Sequence, residues 1–147
     1  MKSPTNDFPA AGSVRPAVLF LCVHNAGRSQ MAAALLSRLA GERVTVFSAG
    51  SNPGDSLNPS VVHVLAERGI DIAALHPQKI TDEMALSADV IVTMGCGDSC
   101  PVYPGKRYID WEIADPAGKP VDQVRPICDE IDRRVTELFT ELVSPDG

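Results

Sequence analysis

The sequence predicts an α/β domain on a four-stranded parallel sheet with helices on both faces, and three observations carry that expectation. Three short, largely apolar segments and a shorter, more polar fourth have strand length, stretches with helical spacing separate most of them, and Gly, Pro and Asn punctuate the joins. Strands that alternate with helices pair in parallel through right-handed crossovers.

Ala17 to Leu21 is poor in β-branched residues, yet its unbroken hydrophobicity marks a strand buried on both faces. A polar turn, Cys22 to Arg28, leads into Ser29 to Ala40, whose Ala and Leu content favours helix, with Gly41 as the closing residue. Val44 to Ala49 is a second strand. Asn58-Pro59 supplies a cap and a first-position proline for a helix carrying Val61, Val62, Val64 and Leu65 and ended by Gly69. Thr81 to Ser87 reads as a short helix, Val90 to Met94 as a third strand and Lys106 to Asp110 as a fourth. From Val121 to Val143, Val124, Ile127, Ile131, Val135, Leu138 and Leu142 recur at three- and four-residue spacing, which predicts an amphipathic helix. Pro126 suits only a first turn, and this moves the expected start toward Arg125.

The chain has 147 residues, 44% hydrophobic and 22% charged, which is the composition of one ordinary globular domain. Residues 1–16 hold Pro, Gly and Ser without an apolar run and read as a flexible N-terminal tail ahead of a domain over 17–147. They lack the apolar middle of a secretory signal, and no stretch approaches the roughly 20 apolar residues of a membrane crossing. A cytoplasmic monomer with no membrane partner is expected. A net charge of -6 argues against a nucleic-acid surface. In that compartment the four cysteines, Cys22, Cys96, Cys100 and Cys128, read as free, catalytic or redox thiols rather than a disulfide framework.

The segment Cys22-Val23-His24-Asn25-Ala26-Gly27-Arg28-Ser29 joins the first strand to the first helix at the sheet edge where ligands of such folds bind. A loop that wraps into a helix N-terminus aims several N–H groups at one spot, and these, with the helix dipole, hold an oxyanion. Arg28 adds a planar fork for two of its oxygens. The same field favours thiolate over thiol at Cys22, Ser29 can donate to the sulfur, Gly27 and Asn25 suit backbone angles that other residues resist, and His24 shapes the loop. A cysteine ending a strand is also an ordinary small core residue. The Arg-Ser pair, the glycine and the strand-to-helix setting favour a catalytic thiol. Cys96 and Cys100 would make half a zinc site, but His24, His63 and His76 form no second pair, so no metal is expected. His63 reads as a helix surface residue, His76 as a loop residue and Cys128 as a packing residue.

Cys-x5-Arg-Ser, with Ser48-Ala49-Gly50 and Asp115-Pro116-Ala117-Gly118, resembles the low-molecular-weight tyrosine phosphatases and the arsenate reductases that share their fold, from about Val18 to Leu142. The resemblance implies that fold, with Cys22 as nucleophile, Arg28 on the oxyanion and Asp115 as general acid. Read by itself, Asp115 is a turn residue before proline. Gln30, where the phosphatases usually carry proline, resembles the reductase branch. The same branch is suggested by Cys96 and Cys100 after the third strand and by an acid loop with few aromatics, Trp111 excepted. The implied activity is reduction of arsenate to arsenite through a Cys22 adduct that a second thiol resolves. That thiol is Cys100, with Cys96 beside it, or an external small thiol. The three residues between these cysteines are fewer than is usual in thioredoxin-coupled members, so thioredoxin and mycothiol with mycoredoxin both stand as reductants. No bound cofactor is implied. Ala33 lies where some members hold a carboxylate for a monovalent cation. Two other readings remain: a phosphatase acting on phosphotyrosine, and a catalytically silent oxyanion-binding module.

Overall fold

In the computed structural model, residues 15–95 and 102–143 are described. All of the expected tail but Arg15 and Pro16 lies outside the described residues, as do Cys96 and Cys100.

Strands β1 (Ala17–Cys22), β2 (Thr45–Gly50), β3 (Val90–Thr93) and β4 (Arg107–Asp110) form one parallel sheet in the order β2-β1-β3-β4. All of β1 is buried, because it is central and sends alternate side chains into two cores. Val18, Phe20 and Cys22 join Val90 and Val92 in the larger core, to which helices α1 (Arg28–Ala40), α2 (Pro59–Glu67) and α4 (Val121–Val143) contribute. Leu19 and Leu21 join Ala49 and Ile91 in the smaller core, where Met84 of α3 (Asp82–Ser87) packs. Both faces are therefore covered, three helices against one. No helix among the described residues is long and apolar enough to cross a membrane.

The expected punctuation holds at most joins. Asn58 Oδ1 accepts from Ser60 N–H at 2.9 Å and Val61 N–H at 3.3 Å to start α2, and Gly41 follows α1 with φ 58°. One expectation is corrected: α4 starts at Val121, a turn before Arg125, with Pro126 inside it. The N–H groups of Gln123 and Val124 already bond the Pro120 carbonyl, so the first turn closes ahead of the proline. Pro126 is exposed and withholds one N–H near the helix start, while Val124 is fully buried in the larger core. Burial of that side chain favours helix strongly enough to offset one missing bond.

Strand register sets up the site. Leu21 lies beside Thr93 in the β1–β3 pair, so the loops leaving these two strands emerge at the same edge.

Candidate active site

The loop after β1 is clamped from outside by residues 51–58. The carbonyls of Cys22, Val23, His24 and Ala26 accept from the N–H groups of Ser51 (3.1 Å), Asn52 (2.8 Å), Gly54 (3.0 Å) and Asn58 (2.9 Å). Carbonyls drawn outward leave the loop's own N–H groups to turn toward its concave side. Gly50 permits the approach, since a Cβ there would lie 2.5 Å from the Val23 carbonyl oxygen. Helix α1 then begins at Arg28 with no side-chain cap and no acidic residue in its first turn, which leaves its positive end to the pocket.

The sulfur of Cys22 accepts from Asn25 N–H at 3.3 Å and lies 2.9 Å from Ser29 Oγ. The direction of the second contact follows from its neighbours. Asn25, fully buried, holds φ at 53°, a left-handed angle that asparagine tolerates. Its Oδ1 accepts from Gln78 N–H at 2.9 Å and Gln30 Nε2 at 3.0 Å, which fixes the amide orientation. Asn25 Nδ2 therefore donates to Ser29 Oγ at 2.7 Å, and the serine proton is left for the sulfur. Amide, hydroxyl and thiol form a relay of dipoles with its positive end at Cys22. Gln30 thus supports the loop from behind, and its Nε2 also reaches the His76 carbonyl at 3.5 Å.

The guanidinium of Arg28 donates to the Ile113 carbonyl at 3.2 Å and lies 3.6 Å from Asp115 Oδ2. Asp115 is 57% exposed, and its Oδ1 accepts from Ala117 N–H at 3.0 Å, so the carboxylate is at once a turn residue and a wall of the pocket. The pocket, about 40 Å3, is bounded by Cys22, Gly27, Arg28, Asn58, Asp115 and Pro116 among others, space for a few water-sized groups. Gly27 is required for a reason other than its backbone angle. Its φ is -141°, and a Cβ there would lie 2.8 Å from Pro116 Cγ, so the glycine is what lets the Asp115 loop pack against the loop after β1.

Of the expected site residues, Cys22, Arg28 and Asp115 come together, His24 is exposed, Ser29 is buried under the sulfur and Val23 packs toward the smaller core. Cys96 and Cys100 lie outside the described residues. Trp111 is turned inward, its ring centroid 5.8 Å from that of Phe20, and does not border the pocket. His63 pairs with Glu67 on the surface of α2 at 3.3 Å. Among the described residues no group of three or more His, Cys, Asp or Glu side chains gathers as a metal site.

Four contributors have no signature in the sequence motif. Gln78 and Ile113 act through backbone groups, which any residue carries. Asn58 reads as a helix cap, and only the folded chain reveals that its Nδ2 donates to the Pro116 carbonyl at 3.1 Å. Gly95, φ 80°, lies so close to Arg28 that a Cβ would overlap Nη1. A glycine just past a buried strand was the available signal.

Residues 17–145 match the family model described as low molecular weight phosphotyrosine protein phosphatase. The chain is similar to an arsenate reductase of Brevibacillus brevis, 36% identical over 124 residues that cover 82% of this chain and 92% of the relative. Among solved structures it is similar to the thioredoxin-dependent arsenate reductase of Corynebacterium glutamicum, with 48% identity, a TM-score of 0.74 and 87% of this chain covered. The chain spans 61% of the length of that protein. It is also similar to an arginine phosphatase from Geobacillus stearothermophilus, 29% identical with a TM-score of 0.74, covering 88% of this chain and 97% of the other. With nearly all of its described residues inside the family match and the Cys22 to Ser29 loop at the expected strand end, the chain belongs to the low molecular weight phosphotyrosine protein phosphatase family.

Proposed function

We propose that this chain reduces arsenate to arsenite through a thiol adduct at Cys22, the activity being carried by residues 17–147 as a cytoplasmic monomer. The observation that supports this best is that Cys22, Arg28 and Asp115 line one pocket of about 40 Å3 bordered by no Phe, Tyr or Trp among the described residues. Such a pocket suits a small tetrahedral oxyanion, and its described lining presents no Phe, Tyr or Trp face to the ring of an aryl phosphate. The relatives named as arsenate reductases favour the same reading.

Arsenate binds against the Arg28 fork and the N–H groups of residues 23–29. The Cys22 thiolate attacks arsenic, an S–As bond forms, an As–O bond breaks, and the oxygen leaves as water with a proton from Asp115. A second thiolate then attacks Cys22 Sγ. The S–S bond forms, the S–As bond breaks, and its electron pair stays on arsenic, which departs as arsenite. Arsenic gains two electrons and two thiols become one disulfide. Cys100, with Cys96 beside it, or an external thiol is the second thiol, and thioredoxin, or mycothiol with mycoredoxin, restores the reduced state.

The test is an assay of the purified protein with arsenate and thioredoxin, with arsenate, mycothiol and mycoredoxin, and with an aryl phosphate. Arsenite is expected with at least one reductant. Efficient aryl phosphate hydrolysis without arsenite would move the assignment to a phosphatase, and tight anion binding without either reaction to a silent binding module. With thioredoxin as reductant, Cys100→Ser should arrest after a single turnover, and undiminished multiple turnover would remove Cys100 from the mechanism.

A further inference from the structure

We infer that Asn58 is a positioning residue for Asp115, joining the anion loop, the start of α2 and the acid loop through one residue. Its backbone N–H donates to the Ala26 carbonyl at 2.9 Å, its Oδ1 accepts from Ser60 and Val61 N–H at 2.9 and 3.3 Å, and its Nδ2 donates to the Pro116 carbonyl at 3.1 Å. Two N–H donors on one side and a carbonyl on the other leave a single orientation for the amide. A helix cap needs only the oxygen, which Ser, Thr or Asp supply equally well. The nitrogen is surplus to the cap and serves the acid loop alone.

Asp115 needs that help. Its side chain is 57% exposed, it has one backbone donor at Ala117, and its nearest cation, Arg28, is 3.6 Å away. Burial therefore does not hold it over the pocket. The loop around it is fastened instead: Pro116 by Asn58, Lys119 by Ser60 Oγ donating to its carbonyl at 2.9 Å, and the Pro116 ring by its seat on Gly27. Asn58 itself borders the same pocket as the carboxylate whose loop it tethers.

This inference rests on the reading of Asp115 as general acid, and the experiment separates the two. Asn58→Ser retains an oxygen for the cap but is too short to reach the Pro116 carbonyl, and Asn58→Thr serves as a second variant of the same kind. For both, Tm should stay within about 2 °C of the parent. The maximal single-turnover rate of arsenite formation should fall about tenfold, while the arsenate concentration giving half that rate changes less than about twofold. In an Asp115→Asn background the same substitutions should change the rate less than about twofold, because the group they position is gone. An unchanged rate in Asn58→Ser and Asn58→Thr, or a tenfold loss that persists in the Asp115→Asn background, overturns the inference alone. Full activity in Asp115→Asn itself overturns the general-acid reading and this inference with it.

Discussion

Cys22 and Cys128 are both buried, 3% and 0% exposed, and both belong to the larger core. Their surroundings differ in kind. The Cys22 sulfur ends a strand, takes a backbone N–H and a serine hydroxyl, and borders a pocket that also holds a guanidinium. Cys128 sits within α4, takes no hydrogen bond among the described residues, and burial pushes its thiol up from 9.0 to about 11, with Arg68 opposing the shift and Asp129 and Asp132 adding to it. A similar degree of burial therefore does not give two thiols the same chemistry. Donors aimed at the sulfur decide it, and those are set by the backbone of the loop.

Replacement of the two sulfurs tests that contrast directly. Cys22→Ser should abolish arsenite production, a loss of at least about 1,000-fold, because a serine hydroxyl stays protonated where a thiolate is needed. Cys128→Ala should leave turnover within about twofold. The reverse outcome, with Cys128 essential and Cys22 dispensable, would invert the comparison. Arg28→Ala comes next and should lower kcat/KM for arsenate by about 100- to 1,000-fold, through both KM and kcat, in steady-state assays.

A smaller effect separates the pocket's geometry from its chemistry. Gly95→Ala should weaken arsenate binding about tenfold, measured by calorimetry, because the new methyl would overlap Arg28 Nη1 and push the guanidinium aside. Backbone strain needs its own control, since φ at Gly95 is 80°. Gly105, φ 84° with nothing among the described residues within 4 Å of a built Cβ, supplies it. Gly105→Ala should lose stability by a similar amount, about 1–2 kcal/mol, and keep arsenate affinity. Equal loss of affinity in both variants would assign the effect to strain rather than to Arg28.

These residues also mark how far the sequence could be read. The first strand was legible because continuous hydrophobicity from Ala17 to Leu21 has few other uses, whereas the pairing of β1 with β3 follows from how the helices pack and is read only from the folded chain. The loop after β1 was legible as a candidate site through Cys22, Arg28 and Ser29, whose chemistry depends on residue type, and Cys22 and Arg28 do border one pocket with Ser29 Oγ at the sulfur. Gly27 was legible as a necessary glycine, but its reason, the ring of Pro116, comes from a loop far along the chain. Asn58 was read for its oxygen and not for its nitrogen, whose partner lies 58 residues away. Pro126 misled because the burial of Val124, which keeps the first turn of α4 helical, is a tertiary effect.

A subtler consequence concerns the Cys128 thiol and is visible only in pH dependence. Its folded-state pKa, about 11, lies above the ordinary value of 9.0, so folding prefers the neutral thiol. That contribution is present in full well below the ordinary value of 9.0, where the unfolded thiol is also neutral, and is lost as pH rises toward 11 because only the unfolded chain ionises easily. Cys128→Ala should therefore cost about 1–2 kcal/mol near neutral pH, from the small cavity left in the core. The gap to the parent should narrow between about pH 9 and 11 as the parent alone loses the neutral-thiol preference. Urea unfolding curves across that range measure it. Two stability profiles that run parallel up to pH 11 would mean that the Cys128 thiol ionises as freely in the folded core as in water, and the electrostatic half of the contrast with Cys22 would be gone.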